Sequence, residues 1–231
     1  MKLKTVIKHL VALFYPDMCL ACEQLLLSGE QYLCSDCLLR MPRTQLHDIP
    51  NNHLEQRFAG KVRFDGVTAF YYYNQESPFQ NIIHKLKYRQ GKHIGYIMGQ
   101  YAAAELADSV RFAHFDALVP VPLHPNKLKR RGYNQSAVIA EGLSAFMKIP
   151  VDETNLYRKI ENPTQTKKTA IERWKNTEGI FAVHHPEAYT DKRLLLIDDV
   201  LTTGATITAC LQAINAVCNA RVSVFTVAAV P

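Results

Sequence analysis

Apolar positions along the chain follow two different spacings. Short, nearly continuous apolar runs alternate with longer stretches in which apolar residues recur every three or four positions. "DGVTAFYYYN" (Asp65 to Asn74), "FDALVPVPL" (Phe115 to Leu123), "NLYRKI" (Asn155 to Ile160), "RLLLIDDVL" (Arg193 to Leu201) and "RVSVFTVAAV" (Arg221 to Val230) read as strands. "SPFQNIIHKLKYR" reads as a helix capped by Ser77 with Pro78 at its first position, and "IGYIMGQYAAAELADSV" as a second helix. Further helices are expected in "NQSAVIAEGLSAFM", in the basic "TAIERWKN" and from about Thr203 to Cys218. Strands that alternate with helices, several of them apolar throughout, imply an α/β domain built on a parallel sheet.

Ahead of that domain the pattern changes. Leu3, Val6, Ile7, Leu10, Leu13 and Phe14 share one helical face, so residues 1–15 are expected to form an amphipathic helix packed on the body. As a secretory leader the same stretch fits less well. Its apolar part, Leu10 to Tyr15, is shorter than the roughly 7–15 residues of a leader core, and no small-x-small cleavage site follows. Residues 16–41 form a compact cysteine-bearing module. Residues 42–61 are polar and punctuated by Pro42, Pro50, Asn51 and Asn52, as expected of a linker, and residues 62–231 make the main domain.

Composition narrows the class. Of 231 residues, 48% are hydrophobic and 21% charged, ordinary for a globular protein. The net charge of +6 suits phosphorylated small molecules or nucleic acid as partners. No uninterrupted apolar run approaches the roughly 20 residues of a membrane span.

The candidate chemistry lies where the fourth strand ends. Leu194 to Ile197 lead without a turn residue into Asp198 and Asp199, and Thr202, Thr203, Gly204, Ala205 and Thr206 follow after two aliphatics. In an open α/β sheet, ligands sit outside the carboxyl ends of strands. A small-residue loop opening a helix offers unpaired N–H groups to an anion, and the neighbouring carboxylates suit hydroxyls or a cation. A sugar phosphate meets both demands. The blander reading makes the acids a helix cap and the threonines turn residues; the completeness of the run argues against it.

"LLLIDDVLTTGAT" resembles the signature of type I phosphoribosyltransferases, which bind 5-phosphoribosyl 1-pyrophosphate (PRPP). The resemblance implies that Asp198 and Asp199 hold the ribose hydroxyls at the catalytic centre, that Thr202 to Thr206 wrap the 5′-phosphate, and that Mg²⁺ accompanies the ligand. "LVPVPLHPNKLKRRGYNQ" is similar to the pyrophosphate-side loop of that superfamily and closer still to the ComF family of competence-associated proteins. There Lys127, Arg130 and Arg131, with Lys129, bring cations to the leaving group; a solvated basic turn or a nucleic-acid patch is the alternative. "RKIENPTQTKKTAIERWKN" fits a ComF-like pattern in which Gln165, Thr166, Lys168 and Arg173 are candidates for a closing loop, weighed about equally against an exposed basic linker. Lys87, in "LKY", either faces the site or lies on the surface.

Cys19-x2-Cys22 and Cys34-x2-Cys37 have the spacing of a four-thiolate zinc knuckle, with Gly29 in the intervening turn. Disulfides are the alternative, but they call for an oxidising compartment. Structural Zn²⁺ is therefore expected, and ComF-like proteins often carry such a module. Cys210 and Cys218 read as buried helix positions. Two functions follow from the resemblance. One is a PRPP-binding protein of natural transformation or DNA uptake, located in the cytoplasm and acting on single-stranded DNA with DNA-processing partners. The other is a phosphoribosyltransferase whose nucleobase-like acceptor the sequence does not name. Oligomeric state is not legible.

Overall fold

The computed structural model describes residues 16–88, 91–159 and 179–231. The expected N-terminal helix over 1–15 and the closing-loop candidates Gln165, Thr166, Lys168 and Arg173 lie outside the described residues, as does "TAIERWKN".

Four parallel strands form the central sheet: β1 (Gly66–Tyr72), β2 (Ala117–Pro120), β5 (Arg193–Leu201) and β6 (Arg221–Ala229), in the order β1-β6-β5-β2. Ile197 stands opposite Phe225 on one side and Pro120 on the other, so the carboxyl ends of β5 and β2 open together. The apolar runs are explained by burial on both faces. Leu195, Ile197, Phe225 and Val227 point into one core, and Leu194, Leu196, Val222 and Val224 point into the other. That is the two-residue alternation of a strand.

The first core is closed by α3 (Gln80–Lys85), α4 (Gly91–Leu106) and α6 (Gln135–Met147). Helices α4 and α6 meet backbone to backbone at two glycines. A Cβ on Gly99 would stand 2.3 Å from the Ile139 carbonyl oxygen, and one on Gly142 would stand 2.1 Å from that of Tyr96. Over the second core lie α7 (Ala205–Asn215) and a small antiparallel hairpin of β3 (Leu156–Arg158) and β4 (Phe181–Val183). The sequence pattern did not reveal β4.

Several expectations change in detail. The helix expected from Ser77 begins at Gln80, because Ser77 and Pro78 belong to the turns before it. The strand expected over Phe115 to Leu123 pairs only over Ala117–Pro120, and the helix expected from Thr203 to Cys218 spans Ala205–Asn215. The basic loop is a helix, α5 (Pro125–Arg131), capped by the His124 ring and closed by Gly132 in the left-handed region.

The largest departure concerns residues 42–61. The expected linker is packed against the sheet, with Leu54 and Phe58 fully buried. Its polar residues hold it there. Asn52 caps the short α2 (His53–Gln56) through bonds accepted from the Leu54 and Glu55 N–H groups, and its amide donates to the Leu46, Ile49 and Val67 carbonyls. Buried Glu55 accepts from the Asn51 and Val67 N–H groups and pairs with Arg111 at 2.7 Å. A segment can thus look polar and still be interior when its polar groups satisfy one another.

The cysteine module, with its single helix α1 (Ser35–Arg40), docks on α3 and α4. Cys19, Ala21, Leu33 and Cys37 share a core with Ile82, Met98 and Ala102. Among the described residues, no helix is long and apolar enough to cross a membrane.

Candidate functional site

A cavity of about 470 Å³ opens at the carboxyl ends of β2 and β5. Asp198 and Asp199 lie in its wall because β5 carries its pairing with β6 past the aliphatic run, through to Leu201. Among the described residues, hydrogen bonds engage one oxygen of each carboxylate. Asp198 Oδ1 accepts from the Ser136 hydroxyl at 3.0 Å and from the Asp199 N–H at 2.9 Å; Asp199 Oδ1 accepts from the Val200 N–H at 2.8 Å.

Both carboxyls are pushed above the usual carboxylate range. For Asp198 the main cause is burial, then the charge of Asp199, opposed by the two hydrogen bonds and by Lys127. For Asp199 burial again dominates, opposed by the Val200 N–H, Lys87 and Arg131. Two adjoining carboxylates that resist ionisation together are suited to hydroxyl groups or to a cation, either of which favours their charged form.

Thr202 and Thr206 line the same cavity. Between them Gly204 adopts φ 79°, and a Cβ there would also meet the Phe58 ring at 2.9 Å, so the position requires glycine twice over. Helix α7 starts at Ala205 behind Gly204, which offers no side-chain cap; the Ala205 N–H donates to the Thr203 hydroxyl at 3.4 Å, and Thr206 of this first turn lines the cavity, whereas Thr203, Gly204 and Ala205 do not. A helix N-terminus so placed suits an anion. A second helix N-terminus, that of α6 behind its Asn134 cap, enters the wall through Gln135 and Ser136.

Cations close the remaining side. Lys127 and Arg131 line the cavity, whereas Arg130 and Lys129 do not. The reason is the helix: positions four apart share a face, and Arg130 points to solvent. Lys87 lines the cavity, as one of its two readings required. Arg158 of β3, Tyr73, Gln75, Gln135 and Ser136 were not singled out from the sequence. Ser136 could have been noticed as a first-turn hydroxyl after a cap; Arg158 stands on β3, which the pattern gave as a strand without its partner β4.

The four cysteines of the module converge. Their sulfurs all lie within 4.8 Å of one another, and Cys22 and Cys34 are 3.7 Å apart. Thiolates at about 2.3 Å from a tetrahedral ion stand roughly 3.8 Å from each other, so the set fits a metal and the four are not disulfide-linked. Burial opposes ionisation of Cys19, but N–H groups of Cys34, Cys22 and Ala21 outweigh it and lower its thiol. Burial, and then the hydrogen bonds of the neighbouring sulfurs, raise the Cys37 thiol. Cys210 is buried in α7, as its apolar surroundings implied, whereas Cys218 is half-buried and lies past the end of that helix.

The chain is similar in sequence and fold to known proteins. Residues 132–231 match the Phosphoribosyl transferase domain family. Across 212 residues the chain is 26% identical to DNA utilization protein YhgH of Escherichia coli K12, covering 85% of this chain and 90% of that protein. It is 24% identical to Competence protein F of Haemophilus influenzae, over 84% and 89% of the two chains. Competence protein ComFC of Bacillus subtilis is 37% identical over 94 residues, 41% of this chain and 35% of that one. Among solved structures, the glutamine PRPP amidotransferase of B. subtilis superposes with a TM-score of 0.44 at 16% identity, over 63% of this chain and 30% of that one. Adenine phosphoribosyltransferase of Leishmania donovani gives 0.38 at 13%, over 77% and 80%.

The fold and cleft define a phosphoribosyltransferase-type domain joined to a four-cysteine knuckle that can hold a metal ion. Sequence similarity along most of the chain is shared with competence and DNA-utilization proteins, so the chain resembles the ComF-type proteins among them.

Proposed function

We propose that this protein binds PRPP in the cleft between β2 and β5 and serves DNA utilisation or competence in the cytoplasm. The observation that carries the reading is the convergence of two helix N-termini and a carboxylate pair on one cavity with cations along its side. In this reading Asp198 and Asp199 take the ribose hydroxyls, and the amides of Thr203 to Thr206 take the 5′-phosphate. Lys127, Arg131 and Arg158 face the pyrophosphate. Mg²⁺ would supply charge neutralisation for the ligand, and the carboxylate oxygens that accept no hydrogen bond among the described residues suit it. Zn²⁺ is the metal that four closed thiolates favour, in a structural role. Lys129 and Arg130, exposed outside the cavity, remain free to track the phosphates of single-stranded DNA. The names of the curated relatives support a DNA role. DNA-processing proteins are the natural partners.

Calorimetry tests the pocket. Wild-type protein should bind PRPP with Mg²⁺, and D198N together with D199N should abolish it; no heat from the wild type ends the reading.

A second reading is transfer to a nucleobase-like acceptor. A neighbouring cavity of about 660 Å³ favours it, sharing Pro122, Leu123 and Asn134 with the first and offering Tyr96, Tyr133 and His93 as flat walls. The bond from the anomeric carbon to pyrophosphate would break as one to the acceptor nitrogen forms. Pyrophosphate release across a panel of bases tests it, and no release with any base argues for binding without turnover.

A further inference from the structure

Arg57 stands in the packed segment that the sequence presents as a linker, and nothing in the cleft accounts for it. It caps the C-terminus of α2, and its guanidinium reaches across to the loop between β5 and α7. Nη1 donates to the Thr202 carbonyl at 2.7 Å, and Nη2 donates to the Val230 carbonyl at 2.6 Å. Thr202 and Val230 line the cavity, but Arg57 does not. The next residue, Phe58, is fully buried with its ring against Gly204. One short segment therefore grips the loop at both its entry and its centre.

We propose that Arg57 is the positioning residue of the phosphate loop, an inference that rests on the sugar-phosphate reading above. The reason is peptide geometry. In a planar trans peptide the C=O of one residue and the N–H of the next point in opposite directions. By holding the Thr202 carbonyl from outside the cavity, Arg57 turns the Thr203 N–H towards the cavity. The second arm fixes that orientation to the sheet, because Val230 also donates its N–H to the Leu201 carbonyl at 3.0 Å. Arg57 in turn is fixed by α2, which Asn52 and the Glu55–Arg111 pair tie to β1. The two fork donors suit two carbonyls at once, which a lysine ammonium on a flexible stem does less well. Arg57 touches no ligand in this scheme. It sets the direction of an amide that does.

The test is calorimetry on the full-length protein with ribose 5-phosphate and, separately, with pyrophosphate, both with Mg²⁺. R57A should weaken ribose 5-phosphate by about tenfold and R57K by less, while pyrophosphate affinity stays within about twofold. R57K keeps the charge and one donor, so it serves if R57A fails to fold. Unchanged ribose 5-phosphate affinity in these variants overturns the proposal. So does an equal loss on both ligands, which would mark Arg57 as a general structural contact. If the wild type binds neither ligand, the sugar-phosphate reading itself fails, an outcome distinct from a wild type that binds and a variant that binds equally well.

Discussion

The cysteine knuckle and the cleft at the carboxyl ends of β2 and β5 are both suited to charged ligands, but they are assembled in opposite ways. All four sulfurs of the knuckle come from Cys19 to Cys37, joined by turns at Glu23, Gly29 and Tyr32 with positive φ. Its own core is small, and a bound ion would supply the cohesion that apolar burial cannot. The cleft takes its groups from Tyr73 to Val230 and depends on a sheet that brings distant segments together. On the proposed reading, one site would use a metal to hold the chain, whereas the other would use the folded chain to hold a ligand. They meet at α3. Asn81 donates to the Ala21 carbonyl at 2.8 Å, and Lys85 donates to that of Leu20 and pairs with Glu23. On the cavity side the same segment presents Ile83 and Lys87.

The largest effect should follow metal removal. Cys34 both joins the sulfur set and caps α1 through the Cys37 N–H, so C34S or a strong chelator should release the metal and unfold the module. Structural zinc is worth about 10–16 kcal/mol in small modules. Metal analysis and thermal melts check this. If α3 links the two regions, PRPP affinity should also fall by several-fold; unchanged affinity would make them independent.

Next comes the carboxylate pair. D198N with D199N should weaken PRPP by about a hundredfold or more, since hydrogen bonds to charged groups are worth about 1.5–3 kcal/mol each. Its stability effect has the opposite sign. Both native carboxyls are raised above the unfolded value near 3.9, so the folded state binds more protons. The favourable contribution is present below about pH 4 and is lost as pH rises through the raised values. The double variant should therefore melt higher than wild type at pH 8, by about 3 °C, with the gain shrinking towards pH 4. A pH-independent difference would contradict that assignment.

G204A should come third. It forces a side chain into left-handed backbone and against Phe58, at a cost of about 1–3 kcal/mol. Ribose 5-phosphate affinity should fall with it, while the knuckle keeps its metal. The smallest effect belongs to K129A with R130A. PRPP binding should be unchanged, and the salt dependence of single-strand binding should weaken by roughly one unit of slope per cation. A change in PRPP affinity would place these residues in the cleft after all.

What the sequence made legible follows the same division. The knuckle was visible because its chemistry is written in consecutive residues, and the β5 end because an aliphatic run stops at two acids. Local spacing misplaced Arg130, since a basic stretch looks the same as loop or helix until His124 and Pro125 are seen to start a turn. It could not reach Arg158, whose strand partner Phe181 lies beyond a long polar stretch. Arg57 and Asn52 were hidden for a different reason. They are polar residues doing interior work, and hydrophobic periodicity does not register burial achieved by hydrogen bonds.

The most direct measurement is a crystal structure of the protein grown with PRPP and Mg²⁺. The 5′-phosphate oxygens should stand within hydrogen-bond distance of the Thr203 to Thr206 amides, with the ribose hydroxyls on Asp198 and Asp199. An empty cleft, or the ligand held instead by Lys129 and Arg130 on the outer face of α5, would contradict the account.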